Sequence, residues 1–170
     1  MRALTRRITV AVLAVTAMAM SLVSPTPWGA GAPAAHAQGV EFLMVPSPAL
    51  GRDIPVAFQG GGPHAVVLLD AFNAAPDVSN WVTAGNAMNT LAGQGISVAA
   101  PAGGAWSMYT NWEQDGSKQW ETVLADDLPN WLAANKGLAP GGHGIAGAAQ
   151  GCTGALTLAT CQPDRYPFPG

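Results

Sequence analysis

Three short apolar runs, residues 65–69, 96–100 and 144–148, constrain this chain more than any other feature. An alternating strand leaves one face to water. A run apolar at successive positions, and bounded by turn residues, suits a strand buried on both faces. Gly60-Gly61-Gly62-Pro63 precedes the first run, and Pro101-Ala102-Gly103-Gly104 closes the second. Helical stripes lie between the runs. Residues 80–92 carry Trp81, Ala84, Met88 and Leu91 at spacings of three and four, and residues 120–135 carry Trp120, Val123, Leu124, Leu128, Trp131 and Leu132. Such stripes face a core. Pro129 should kink the second helix, or restart it with Asp126 or Asp127 near the cap, and Lys136-Gly137 should stop it. Two further strands are expected at 40–45 and 54–58, set apart by Pro46-Ser47-Pro48 and Gly51-Arg52-Asp53. Strands alternating with helices predict an α/β fold with a largely parallel sheet.

The N-terminus reads differently. Arg2, Arg6 and Arg7 precede an uncharged apolar run over 8–20, followed by a Pro/Gly/Ala-rich stretch that ends in Ala35-His36-Ala37. This is the layout of a secretory signal peptide, shorter than the ~18–20 apolar residues of a membrane span. Residues 1–37 are therefore expected to be an export signal and 38–170 a single domain, secreted and extracellular or cell-wall associated. Only 10% of the 170 residues are charged. The signal holds three of the seven basic residues and none of the ten acidic ones, so its removal moves the net charge from −3 to about −6. An acidic domain has no basic footprint for nucleic acid or anionic lipid. If 151–162 is a helix, Cys152 and Cys161 stand about 13.5 Å apart along its axis and on opposite faces. They are expected to be buried thiols rather than a disulfide pair.

In parallel α/β sheets, ligands bind in the loops at the carboxyl ends of the strands, here 70–76, 101–112 and 148–151. The third has the small-residue, strand-to-helix pattern of a nucleophile elbow, G-x-S-x-G, with Ala149 at its centre in Gly147-Ala148-Ala149-Gln150-Gly151. A methyl group cannot attack a carbonyl, so acyl transfer by the usual covalent route lacks its nucleophile.

Together with that elbow, the segments from Val40 to Pro48, Gly51-Arg52-Asp53-Ile54, Leu68-Leu69-Asp70, Pro101-Ala102-Gly103-Gly104, Trp120-Glu121-Thr122 and Leu128 to Asn135 resemble the antigen 85 family of secreted mycobacterial mycolyltransferases. The match runs over 40–165 and is nearest to the family's non-mycolylating member. It implies an α/β-hydrolase fold, here the N-terminal part of a mostly parallel doubly wound sheet, incomplete at its C-terminus. The resemblance puts Ala149 in the nucleophile's place and the backbone N–H groups of Phe72 and Gln150 at the oxyanion-hole positions. Asp70 matches an acidic residue that contacts trehalose in the enzymes, whereas Asn73 stands where they have an arginine. The cysteine pair expected between 111 and 120 is absent. Family members continue well beyond residue 170, and that continuation supplies their catalytic acid and histidine; the chain thus reads as truncated. Pro167 and Pro169 oppose the strand expected near the end.

Three readings follow. The first is a non-catalytic secreted protein that binds fibronectin, or another host matrix protein, or small sugars. The family's fibronectin segment falls at 119–128, with Trp120, Glu121 and Leu124 as candidates, against the plainer reading of Trp120 and Trp131 as helix-to-sheet core. For a sugar, Tyr109 and Trp112 could stack on a ring while Asp70 and Asn73 bond its hydroxyls, against a reading of the aromatics as rim packing. The second is an acyltransferase or esterase of the mycolyltransferase type using Cys152 or Ser107, neither of which has an evident base, since His64 and His143 precede strands at the far end of the sheet. The third is a fragment without autonomous function, its uncovered sheet edge and helix face supplied with cover, if at all, by a homodimer. No cofactor or metal is implied.

Overall fold

The computed structural model describes residues 39–170. The export signal expected at 1–37 lies outside them. The described residues form one six-stranded sheet of order β1-β2-β4-β3-β5-β6. β1 (Glu41–Ser47) and β2 (Arg52–Gln59) make an antiparallel hairpin, and β2 pairs antiparallel with β4 (Ser97–Pro101). From there the sheet is parallel through β3 (Ala65–Leu69), β5 (Gly144–Gly147) and β6 (Phe168–Pro169). This is the α/β-hydrolase-type arrangement expected from the sequence, mixed only at its N-terminal edge.

Successive side chains on the central strands go to opposite cores, which is why β3 is apolar throughout. Val67 and Leu69 of β3 join Ile54, Val56 and Phe58 of β2 in the larger core, whereas Leu68 joins Ala57, Val98 and Ala100 in the smaller one. The larger core is closed by the helical stretch 120–136 and by α5 (Gln150–Cys161). The smaller one is closed by α1 (Asn80–Thr83) and α2 (Ala87–Leu91).

The stripes predicted as two helices are both interrupted. The first breaks at Gly85-Asn86, where Asn86 takes the left-handed conformation (φ 49°), although Trp81, Met88 and Leu91 still face the sheet. The second runs as α3 (Trp120–Thr122), a π-helical turn over Val123–Asp127 and α4 (Leu128–Lys136). Pro129 has no N–H to give the Ala125 carbonyl, and the ladder widens just before it, with the Leu128 N–H reaching back to Val123. Tyr166, fully buried, donates its hydroxyl to the Leu124 carbonyl at 2.6 Å. Asp127 stands at the predicted cap position but caps a different element. Its carboxylate accepts from the Ser47 hydroxyl (2.6 Å) and the Ala49 N–H (3.1 Å), fixing the β1–β2 turn. Gly137, at φ 69°, ends α4 as expected.

Two expectations need correction. Cys152 and Cys161 are unpaired, as the helix geometry required, but both are exposed rather than buried. The chain end does pair with the sheet: Gly170 donates to the Ile145 carbonyl at 2.9 Å, and Phe168 and Pro169 lie beside β5. N–H groups alternate in direction along a strand, so Pro167 and Pro169, one residue to either side of Phe168, point their missing donors at the open edge, where prolines are tolerated.

Candidate functional site

The order of strands reverses around β3, with β4 on one side and β5 on the other, which opens a crevice at their carboxyl ends. Asp70 directly follows β3 and Ala148-Ala149 directly follow β5, so both lie at this crevice. Ala149 has φ 51° and ψ −113°, a strained conformation for a residue with a Cβ. The turn is possible because its flanks are glycine. A Cβ on Gly147 would overlap the backbone of Gly151, and one on Gly151 would overlap the Leu69 carbonyl. The backbone of a nucleophile elbow is therefore complete, with a methyl group at its tip. No hydrogen bond among the described residues takes up the N–H of Phe72 or of Gln150.

Beside the elbow lies a cavity of about 410 Å³, lined by Asp70, Ala71, Asn73, Asn80, Trp81, Ala84 and Ala148. Asp70 is 1% exposed. Its Oδ1 accepts from the Ser79 hydroxyl (2.9 Å) and the Asn80 N–H (3.0 Å), but its Oδ2 is buried with no partner. Burial raises its pKa above the usual 3.8 against the opposing effect of those hydrogen bonds. An unpaired buried carboxylate oxygen is costly, and the hydroxyl of the neighbouring Tyr109 is likewise buried without a partner.

Gln150, 1% exposed, braces the cavity's Ala71 loop against its neighbour. Its Nε2 donates to the carbonyls of Ala71 (3.0 Å) and Gly104 (2.8 Å), and its Oε1 accepts from the Met108 N–H (3.2 Å). One side chain thus joins the loop after β3 to the loop after β4.

Several candidates are placed elsewhere than the sequence suggested. Asp70 and the exposed Asn73 line the cavity, but Tyr109 and Trp112 do not. Tyr109 is fully buried against Trp120 with ring centroids 5.6 Å apart, and burial, with the nearby Asp70 charge, drives its pKa upward. It cannot stack on a sugar. Trp112 is 38% exposed, and Lys118 lies over its ring, 4.1 Å from the centroid. Trp120 and Leu124 are core residues, 2% and 0% exposed, because the stripe that carries them packs against the sheet; only Glu121 of that trio reaches the surface, in part. Ser107 is buried, donating to the Gly104 carbonyl at 2.7 Å and accepting from the Tyr109 N–H, so its hydroxyl braces the loop. His143 is buried at the start of β3, where its Nδ1 accepts from the Ala65 N–H at 3.1 Å, and His64 meets the Gly141 carbonyl at the same end. Among the described residues, no group of three or more His, Cys, Asp or Glu is placed to hold a metal.

Ala148 belongs to the third expected loop, but spacing alone missed Asn80, Trp81 and Ala84 as lining residues. Trp81 belongs to a core stripe by period, yet its Nε1 donates to the Leu69 carbonyl at 2.9 Å, holding the indole against the cavity. The need of a half-buried indole N–H for an acceptor was the available signal.

Residues 47–169 match the family described as "Putative esterase". The chain is 74% identical over 141 residues to the MPT51/MPB51 antigen of Mycobacterium tuberculosis, covering 83% of this chain and 47% of that protein. It is 44% identical over 140 residues to the diacylglycerol acyltransferase/mycolyltransferase Ag85B of Mycolicibacterium smegmatis, covering 77% and 43%. The crystal structure of Mycobacterium tuberculosis MPT51 superposes with a TM-score of 0.75 at 76% identity, over 76% of this chain and 48% of that one. The chain spans about half the length of the relatives it matches.

Proposed function

From the premise that this chain belongs to the esterase family, in its antigen 85 branch, we propose that it is an exported, non-catalytic member that binds small sugars in the Asp70 cavity. The observation that carries the reading is Asp70, a residue of the wall of an open cavity whose Oδ2 is a buried acceptor without a donor. A sugar hydroxyl supplies the missing donor. The half-buried face of Trp81 offers the apolar surface a pyranose ring packs against, and Asn73 and Asn80 offer amides for further hydroxyls. Asn73 in place of a cation suits a neutral ligand.

The non-catalytic part of the reading is supported by the methyl group of Ala149 at the elbow and by the placement of His64 and His143 at the other end of the sheet, since a general base must lie within about 3 Å of the group it deprotonates. Export is supported by the Arg2–Ala37 pattern. A matrix-protein contact through 119–128 has lost Trp120 and Leu124 to the core, and the sugar reading is preferred to it.

The test is a chemical-shift titration of the 170-residue chain with glucose and trehalose, together with a 4-nitrophenyl butyrate assay. Saturable shifts at Asn73, Asn80 and the Trp81 indole, lost in Asp70→Ala, are expected, with no ester turnover. Shifts that survive Asp70→Ala would move the ligand elsewhere. Turnover abolished by Cys152→Ala would restore the acyltransferase reading.

A further inference from the structure

The two edges of the sheet are unlike. β6 is two residues long, and Pro167 and Pro169 leave its open side short of donors, which blunts it against further pairing. β1 is seven residues long and stands at the other end of the strand order, so its outer side pairs with nothing among the described residues. An open edge of that length templates another strand unless proline, charge or a bulge disarms it. Pro46 disarms only the end next to the hairpin turn, and the strand's own charge, Glu41, is paired with Lys136 of α4.

Which main-chain groups face outward follows from three prolines. In an antiparallel ladder, pairs that exchange N–H···O bonds alternate with pairs that do not. Pro46 stands opposite Asp53, Pro55 opposite Met44, and Pro101 opposite Val56, and none of the three has an N–H to exchange. The Pro55 carbonyl accepts from the Ala102 N–H at 2.9 Å, which turns its backbone toward β4 and away from β1. Leu43 and Val45 therefore direct their main-chain groups at Val56 and Ile54, and Phe42 and Met44 aim theirs at the open edge. The side chains follow the same alternation. Leu43 and Val45 pack into the larger core, whereas Phe42 and Met44 stand on the other face, 65% and 58% exposed.

We propose that β1 pairs antiparallel with β1 of a second copy, joining the two sheets into one across a twofold axis at Leu43. In that register the N–H and C=O of Phe42 meet those of Met44 in the second copy, and the same pair recurs on the other side of the axis. On the exposed face each Phe42 ring lies beside a Met44 thioether, a favourable sulfur–aromatic contact. The neighbouring registers are poorer. Setting Phe42 on Phe42 brings the two Glu41 within about 7 Å along the strands, against about 13 Å with the axis at Leu43. Setting Met44 on Met44 faces Phe42 with Pro46, which has no donor to give. The exposed parts of the two side chains amount to about 250 Å² per copy. With the main chain added, the interface stays below the total of about 1,200 Å² that a stable dimer needs, so the association is reversible and half-formed on the order of 10–100 μM.

The experiment combines sedimentation of the full chain from about 10 μM to about 1 mM with hydrogen exchange of the β1 amides over the same range. Monomer should give way to dimer as concentration rises. The Phe42 and Met44 amides should exchange about fourfold more slowly at the top of the range than at the bottom, while those of Leu43 and Val45, already bonded within the hairpin, should not change. Met44→Pro removes one outward donor and leaves every internal bond of the ladder in place, since residue 44 already faces a proline. It should weaken the dimer about tenfold or more, and Phe42→Lys should do the same by placing a charge on the exposed face. Circular dichroism checks that both variants are folded. For the register, Phe42→Cys mixed with Met44→Cys, each in a Cys152→Ser and Cys161→Ser background, should give a disulfide-linked heterodimer, and neither should cross-link alone. A chain still monomeric at the highest concentration, a dimer that survives both variants, or a dimer whose Phe42 and Met44 amides exchange at the monomer rate would each overturn the pairing. Binding of a monomeric chain to phosphatidylcholine vesicles through Phe42 and Met44 would make the patch a lipid contact and overturn it too.

Discussion

Asp70 keeps two hydrogen bonds on one oxygen and none on the other, and this asymmetry allows its charge to be tested separately from its shape. In Asp70→Asn the amide oxygen still accepts from Ser79 and Asn80, while a neutral group replaces the unpaired oxygen. The variant should be more stable than the parent at pH 7 by about 1 kcal/mol and should bind sugar more weakly. Because the folded pKa of Asp70 is raised, the native protein recovers the cost of its charge as pH falls through that pKa, so the gain should shrink on acidification. Urea unfolding at pH 7 and pH 4 measures both; an equal gain at the two values would mean that the charge is not the cause. Ala149 is the companion case. Its φ of 51° strains any side chain, and Ala149→Gly should raise stability by about 1 kcal/mol despite the looser unfolded chain. A lower melting temperature would show that the methyl group packs usefully where the elbow presents it. Ala149 as the elbow's tip was legible in the sequence, since small residues around a strand-to-helix turn have few other uses. The orphan oxygen of Asp70 was not, because it depends on which way Ser79 and Asn80 fold back.

Elements were legible where one period served one purpose. β3 was read to the residue, because an apolar run with a glycine loop before it and an aspartate after it has one solution. The helical stripes were read correctly as core-facing, but their continuity was not. Gly85-Asn86 and Pro129 break hydrogen-bond ladders without disturbing the apolar spacing, so the pattern survives where the helix does not. The same spacing left Trp120 open between a surface contact and helix-to-sheet core, and the structure puts it, with Leu124, in the core. α5 offers the sharpest test at this scale. It can start against β3 only because Gly151 lets the Leu69 carbonyl pass, and a methyl group there meets backbone rather than a movable side chain. Gly151→Ala should therefore destabilise the fold by about 3 kcal/mol and displace Gln150, loosening both loops it ties. Thermal unfolding and the Ala71 and Met108 amide shifts report the two effects; a variant as stable as the parent, with those shifts unmoved, would show that the helix can start elsewhere.

Across the whole molecule, β3 carries a buried titratable group at each end, His143 against its first residue and Asp70 just beyond its last. The two respond to acid in opposite directions. Burial lowers the pKa of His143, with the neighbouring His64 and Arg165 charges adding to the effect, and its Nδ1 must stay unprotonated to accept from Ala65. The unfolded chain binds that proton from about pH 6.5 downward, so the stability due to His143 is complete above 6.5 and is lost as pH falls through its lower folded value. Asp70 works the other way, and only nearer its own pKa. β3 lies between the two cores, with Val67 and Leu69 in one and Leu68 in the other, so strain at either end is felt by both. Unfolding should therefore be one transition by far-ultraviolet dichroism and by Trp fluorescence, with a urea midpoint that falls between pH 7 and pH 5. In an Asp70→Asn background the fall should steepen at its acid end, where the opposing group has been removed. Adding His143→Gln should flatten it at the cost of some overall stability, as the Ala65 N–H then depends on a less fitting acceptor. Separate transitions for the two probes, or an unchanged slope without His143, would show that β3 does not couple the two faces of the sheet.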